Sequence, residues 1–281
     1  MLRSLILLTF TGCMPTRDVT PNWSDDVSED AAEEEIVIED TCGGDDTGEI
    51  KGFSINGTIE DLVTKEGPPE PSILCAYALD PTPVLSGGEP VVMAASQVCD
   101  NGEYSVGGLS NPPSIGMFIS IADCDSTAPT VMKSATGVDF DDVKDLGDGE
   151  SHDDHTAYLV SIELGRTVSD SLVDFDGDAV ETGFMSGFVL DVNEEAVDGG
   201  KLACGGCVDF YYMDTDDSDG LFLTDGVRNT ETTASAGAIF VAPAAPIFTY
   251  EAADGGVHTW EPQLFGSLPG YASFLLFNAT N

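Results

Sequence analysis

From residue 50 onward, short apolar runs alternate with Gly, Pro, Asn and Asp, a punctuation that suits strands and turns better than long helices. Phe53-Ser-Ile-Asn-Gly-Thr-Ile-Glu-Asp61 opens the series with an alternating run. Strands are expected next at Ile73–Leu79, Ala94–Val98, Glu103–Val106 and Met117–Ala122. Asp100-Asn-Gly102 supplies a turn between two of them, because Asn and Gly accept positive φ. A second series follows at Gly187–Asp191, Cys207–Asp214, Thr233–Val241 and Gly266–Phe277. Between the two series the pattern changes. Leu159 and Ile162, with Val160 and Leu164, lie at helical spacing within Ala157–Leu164, and Gly165 is expected to stop that helix. A second short helix is expected over Val168–Phe175, and an acidic loop over Asp139–His155.

The N-terminus has a different character. Met1-Leu-Arg-Ser-Leu-Ile-Leu-Leu-Thr-Phe-Thr-Gly-Cys13 carries one early positive charge, a short apolar core and small residues before a cysteine. It resembles a bacterial lipoprotein signal, in which that Cys becomes the lipidated first residue. A transmembrane helix needs roughly 20 apolar residues, more than this run offers. The expectation is export and a membrane attachment through lipidated Cys13, with Met14 in the next position pointing to the outer membrane. Residues 13–49 include Asp25-Asp-Val-Ser-Glu-Asp30 and Glu33-Glu-Glu35. Such a segment buries too little apolar surface to offset its ordering entropy, and is expected to act as an extended acidic tether with no strand at Ile36-Val-Ile38.

The two strand series share an order of small motifs. Asn56-Gly57 with Asp61 matches Ser186-Gly187 with Asp191, and Gly102 before Tyr104 and Val106 matches Gly237 before Ile239 and Val241. Gly108-Leu109 matches Ser267-Leu268-Pro-Gly270. A Pro-rich turn, Pro68-Pro-Glu-Pro71, follows the opening strand of the first copy. This order resembles the carboxypeptidase regulatory-like domain, a transthyretin-like β-sandwich. The resemblance spans residues 50–125 and 183–281, with Ser110-Asn111 departing from the family pattern. It implies an all-β fold: two tandem sandwiches joined by a partly helical connector at 126–182. It also implies an accessory role without catalysis.

Charge narrows the partners. The sequence holds 51 acidic and 9 basic residues, a net of −42. That balance repels phosphate backbones, so nucleic acid is excluded as a partner. The acids form either a solvated coat suited to saline surroundings or a store of divalent-cation ligands. Asp214-Thr-Asp-Asp-Ser-Asp-Gly220 is the candidate calcium loop, with Asp214, Asp216, Asp217 and Asp219 as ligands; Asp174-Phe-Asp-Gly-Asp178 is similar. The EF-hand pattern fails, because Gly226 falls where a Glu is required. An acidic hairpin loop accounts for the same residues.

With Cys13 set aside, six cysteines remain, and an exported chain favours disulfides. Cys75 with Cys99 is the first pairing expected, and Cys42 with Cys124 the second. Cys204-Gly-Gly-Cys207 has the spacing of a redox motif, but the following Val208–Met213 reads as a strand, which favours a small structural disulfide. His152 and His155 are possible metal ligands, alone or with Cys204 and Cys207 in a zinc site; a solvated acidic loop is the plainer reading. No nucleophile elbow or phosphate loop is present. Phe210, Tyr211, Tyr212, Tyr250, Trp260 and Tyr271 serve either core packing or a binding surface, and the stretch Ala244–Phe265, with His258 and Trp260, is the place for a recognition loop. The function expected is a non-catalytic cell-envelope module that contacts a protein or glycan partner. The alternative is a calcium-dependent ligand binder, for instance of carbohydrate.

Overall fold

Strands from both halves of the chain hydrogen-bond into one sheet. The computed structural model describes residues 38–39, 42, 51–125, 127–204, 209–214, 220–224 and 227–281. In chain order the strands are β1 (Ile38–Glu39), β2 (Phe53–Asp61), β3 (Leu74–Asp80), β4 (Val91–Gln97), β5 (Glu103–Leu109), β6 (Met117–Asp123), β7 (Lys133–Val138) and β8 (Ser151–Leu159). They continue as β9 (Phe184–Leu190), β10 (Lys201–Cys204), β11 (Tyr211–Tyr212), β12 (Leu223–Thr224), β13 (Val227–Arg228), β14 (Ile239–Pro243), β15 (Phe248–Ala253), β16 (Gln263–Phe265) and β17 (Tyr271–Asn278). Three helices are described: α1 (Phe140–Val143), α2 (Ile162–Ser171) and α3 (Ala179–Thr182). The class is all-β, as the alternation predicts.

The large sheet has nine strands in the order β1-β4-β3-β6-β7-β17-β9-β14-β11. β7 is the seam. It runs antiparallel to β6 from the first half and parallel to β17 from the second. β17 is also parallel to β9 along Ala272–Asn278. The expected pair of separate sandwiches is therefore corrected to one continuous sheet with a cover over each half. The expected connector supplies β7 and β8 as well as helices.

β5-β2-β8 forms a three-stranded cover over the first half. Phe53, Ile55, Ile59, Tyr104, Val106, Ala157 and Leu159 from the cover meet Leu74, Ala76, Ala78, Met117, Ile119 and Ile121 of the large sheet. The register makes β3 and β6 present these residues on one face, because side chains alternate with period two. On the second half both faces are covered. Phe184, Phe188, Ile239, Val241, Ala272 and Phe274 pack with Val168 of α2 and with Leu172, which caps its C-terminus. Their neighbours Met185, Val189, Phe240, Ala242, Leu275 and Phe277 face the other way, under β10-β15-β16 and its Tyr250 and Phe265. Each Val, Leu, Ile, Phe or Met among them contributes about 1.5–3 kcal/mol on full burial.

Two expected helices move. Residues 157–159 end β8 and do not begin a helix, because Ala157 and Leu159 face one core while Tyr158 and Val160 face another. α2 starts after Ser161, whose hydroxyl accepts from the Leu164 N–H at 3.0 Å, and it runs through Gly165. Gly165 does not terminate the helix. It lets α2 approach Met132, whose Sδ would lie 2.4 Å from an added Cβ.

The cysteine pairings are also corrected. The two disulfides whose partners are both described are Cys42–Cys99 and Cys75–Cys124, in place of Cys75–Cys99 and Cys42–Cys124. The reason is a strand not expected from sequence. β1 pairs in parallel with β4, setting Ile38 beside Ala95 and Glu39 beside Ser96. Three residues further along each chain, that register brings Cys42 to Cys99. β3 pairs antiparallel with β6, Cys75 opposite Ala122, which leaves Cys124 within reach.

Candidate functional site

The polar feature with the most unusual geometry lies where β2, β5 and β8 run side by side. β2 and β8 are parallel, and their register slips between Ile55 and Gly57: Ile55 pairs with His152, while Gly57 pairs with His155. Two steps on β2 thus match three on β8, a bulge that holds one extra residue. Asp154 has φ +63°, the left-handed conformation that Asp tolerates better than most residues. Residues three apart on a regular strand point to opposite faces. The bulge turns His152 and His155 to the same face, and their ring centroids stand 6.0 Å apart.

Tyr104 on β5 completes this row. Its hydroxyl donates to the His155 carbonyl oxygen at 3.2 Å, passing over Gly57. A Cβ at Gly57 would lie 1.8 Å from that oxygen and 2.8 Å from the Tyr104 hydroxyl. Burial pushes the His155 imidazole down to about 4, with the His152 charge acting in the same direction. Burial pushes the Tyr104 phenol far up. The His155 Nε2 is shut off from solvent and has no hydrogen-bond partner.

An open groove of about 1410 Å³ lies on the neighbouring surface, lined by Asn56, Thr58, Gln97, Glu103, Asp153 and Asp154 among others. The Asn56 side-chain N–H donates to Asp153 at 2.7 Å, and this bond, with one from Ser151, holds the Asp153 carboxyl below its usual range. The Asn56 Oδ1 is buried without a partner.

Of the expected calcium ligands, Asp214 is described, and its carboxylate accepts from the Thr224 hydroxyl. Asp216, Asp217 and Asp219 lie outside the described residues, as do Cys13 and Cys207. Among the described residues, no three or more His, Cys, Asp or Glu side chains gather around a point that could hold a metal ion. Asp178 caps α3 through the Val180 N–H at 2.8 Å, a structural use of the second acidic loop. Cys204 is disulfide-bonded, so its sulfur is not a zinc ligand beside His152 and His155.

The aromatic set is mostly core. Tyr211 and Tyr212 point to opposite faces of the large sheet and are both buried, because both faces are covered there. Trp260 is buried as well, and its indole N–H lies 2.9 Å from the Leu190 carbonyl oxygen and 3.1 Å from that of Phe277. It fastens the expected recognition loop to the sheet and presents no flat surface to a ligand. His258 packs on Trp260, and its Nδ1 lies 2.5 Å from Asp254. Burial alone would raise the Asp254 carboxyl, but the His258 and Val257 N–H groups and the His258 ring outweigh it and hold it low.

No family model and no curated protein sequence matches the chain. Among solved structures it is similar to the Bacillus anthracis TIE protein at 10% sequence identity and a TM-score of 0.20, over 82% of this chain and 34% of that one. The chain thus spans about a third of the length of that protein. A likeness this low carries no argument about function. No described helix is long and apolar enough to cross a membrane. Two described disulfides fit an oxidising compartment outside the cytoplasm.

Proposed function

We propose that this chain is a non-catalytic cell-envelope lipoprotein, anchored through Cys13 in the outer membrane, whose β body is a structural or interaction module. The observation that carries the reading is the Cys42–Cys99 disulfide. It ties the end of the acidic N-terminal segment covalently to the edge of the large sheet, beside the β1–β4 pairing. A pull between a lipid anchor and the body then falls on a covalent bond and not on strand hydrogen bonds alone. The motif order that resembles the carboxypeptidase regulatory-like domain supports an accessory role in the same direction, although the two stretches build one sheet and not two sandwiches. The net charge of −42 favours a partner with a cationic or neutral surface, protein or glycan, over an anionic one.

The test is lipid labelling and fractionation of the full chain in a bacterial host. The native sequence is expected to incorporate labelled fatty acid and to sediment with membranes, and Cys13→Ser is expected to do neither. Membrane retention of Cys13→Ser would overturn the anchor. Glycan binding that chelation abolishes and calcium restores would replace the module reading with the calcium-dependent binder.

A further inference from the structure

We propose that His152 and His155 form a binding site for a divalent first-row transition ion, Cu²⁺, Ni²⁺ or Zn²⁺. The inference stands apart from the interaction role, and from calcium. Its basis is the bulge. Three apart on a regular, unbulged strand, the two imidazoles would lie on opposite faces of the cover sheet. With it, they share a face with centroids 6.0 Å apart. Metal–nitrogen bonds of about 2.0 Å set the centroids of two imidazoles on one ion roughly 4.5 to 5.5 Å apart, a range that the 6.0 Å pair reaches with a small turn of the His152 ring.

A second observation points to the same place. The His155 Nε2 is buried and makes no hydrogen bond. Buried polar atoms are nearly always satisfied, and an orphan needs an explanation. An ion supplies one, since a neutral imidazole offers a lone pair that a soft-to-borderline cation accepts. His155 is held in place by the bond from Tyr104 to its carbonyl oxygen, over a glycine that leaves no room for another side chain. His152 is half-buried and gives the site its route to solvent. The ligand set favours nitrogen-seeking ions, in the order Cu²⁺ above Ni²⁺ and Zn²⁺, over the oxygen-seeking Ca²⁺ and Mg²⁺. Waters complete the coordination. The acidic surface adds no specificity, but it raises the local concentration of any cation.

The experiment is calorimetric titration of the chelator-stripped full chain with Cu²⁺, Ni²⁺ and Zn²⁺, in millimolar calcium so that carboxylates are already occupied. A single saturable equivalent is expected, tightest for Cu²⁺. His152→Asn should weaken it by roughly 10- to 100-fold or more, and should remove imidazole nitrogen couplings from the Cu²⁺ electron paramagnetic resonance spectrum. His258→Asn, which alters the remaining histidine in the other half of the chain, should leave both unchanged. His155→Asn tests the deeper ligand; if that variant does not fold, half-buried His152 carries the test alone. No saturable binding, binding untouched by His152→Asn, loss in His258→Asn, or displacement by calcium would each overturn the proposal.

Discussion

The Tyr104 hydroxyl reaches the His155 carbonyl oxygen at 3.2 Å across a strand that has no side chain at the crossing point. Gly57 is the residue crossed, and the contact exists because a Cβ there would sit 1.8 Å from the carbonyl oxygen. The obstacle is backbone, so it cannot be relieved by a change of rotamer. Gly57→Ala is therefore expected to cost about 3 kcal/mol or more, at or above the usual range for overpacking. Tyr104→Phe keeps the ring in the core and removes only the hydroxyl, so it is expected to cost about 1 kcal/mol. Urea unfolding of both variants checks the ranking. A Gly57→Ala protein as stable as Tyr104→Phe would mean that β8 moves freely away from β2.

The disulfides give a chemical test of the register. Non-reducing proteolysis and mass spectrometry should find Cys42 joined to Cys99 and Cys75 joined to Cys124. The bridges close loops of similar sequence separation, 57 and 49. Loop entropy alone makes each worth a similar amount, typically about 2–4 kcal/mol. They differ in what they hold. Losing Cys42–Cys99 frees a two-residue edge strand, whereas Cys75 is fully buried beside the core of the first half. The Cys75→Ser, Cys124→Ser double variant should thus lose more stability than Cys42→Ser, Cys99→Ser. The reverse order would place the weight of the fold at the β1 edge.

These particulars show what the sequence could carry. β2 was legible to the residue, because Phe53, Ile55 and Ile59 alternate and face one core. β7 was not. Its Lys133-Ser-Ala-Thr-Gly-Val138 has no apolar alternation, since it buries Ser134 and Thr136 by hydrogen bonds instead. The Ser134 hydroxyl bonds the backbone of Ile121, and the Thr136 oxygen accepts from the Tyr158 N–H at 3.0 Å. Missing that one strand split the sheet into two domains. The histidine pair was hidden for a related reason. His152-Asp-Asp-His155 reads as a polar loop, and a bulge shows only when the partner strand is known. Trp260 failed in the opposite sense: its loop position suggested recognition, while both bonds of its indole N–H go to the sheet.

Lys65 joins the two halves. It follows β2 with φ +60°, and its ammonium lies 3.4 Å from the Phe188 ring centroid and 4.6 Å from that of Tyr158. The rings favour the cation, whereas burial disfavours it and lowers the amine to about 8 against the pull of Glu60 and Asp61. The apolar stem is therefore expected to matter more than the charge. Lys65→Met should stay within about 0.5 kcal/mol of the native protein at neutral pH, and Lys65→Ala should lose about 1 kcal/mol. Equal losses in thermal denaturation would instead assign the contact to the charge.

The tyrosines offer a global readout at the alkaline end. The sequence has 7 of them: Tyr77, Tyr104, Tyr158, Tyr211, Tyr212, Tyr250 and Tyr271. Every one is raised above the ordinary phenol value, with burial the leading cause, and Tyr158 and Tyr250 are pushed up to about 12. A phenol raised in the folded state favours folding fully below its unfolded value near 10. That stability is lost as the pH rises through the folded values, so the window of loss runs from about 10 to about 12. A free phenol is half ionised near pH 10, but the native protein is expected to show little phenolate absorbance there. Phenolate should then appear in one cooperative step, together with the loss of the β circular dichroism signal. A smooth titration centred near 10 with the β signal intact would mean that these side chains reach solvent, returning Tyr211, Tyr212, Tyr250 and Tyr271 to the binding-surface reading.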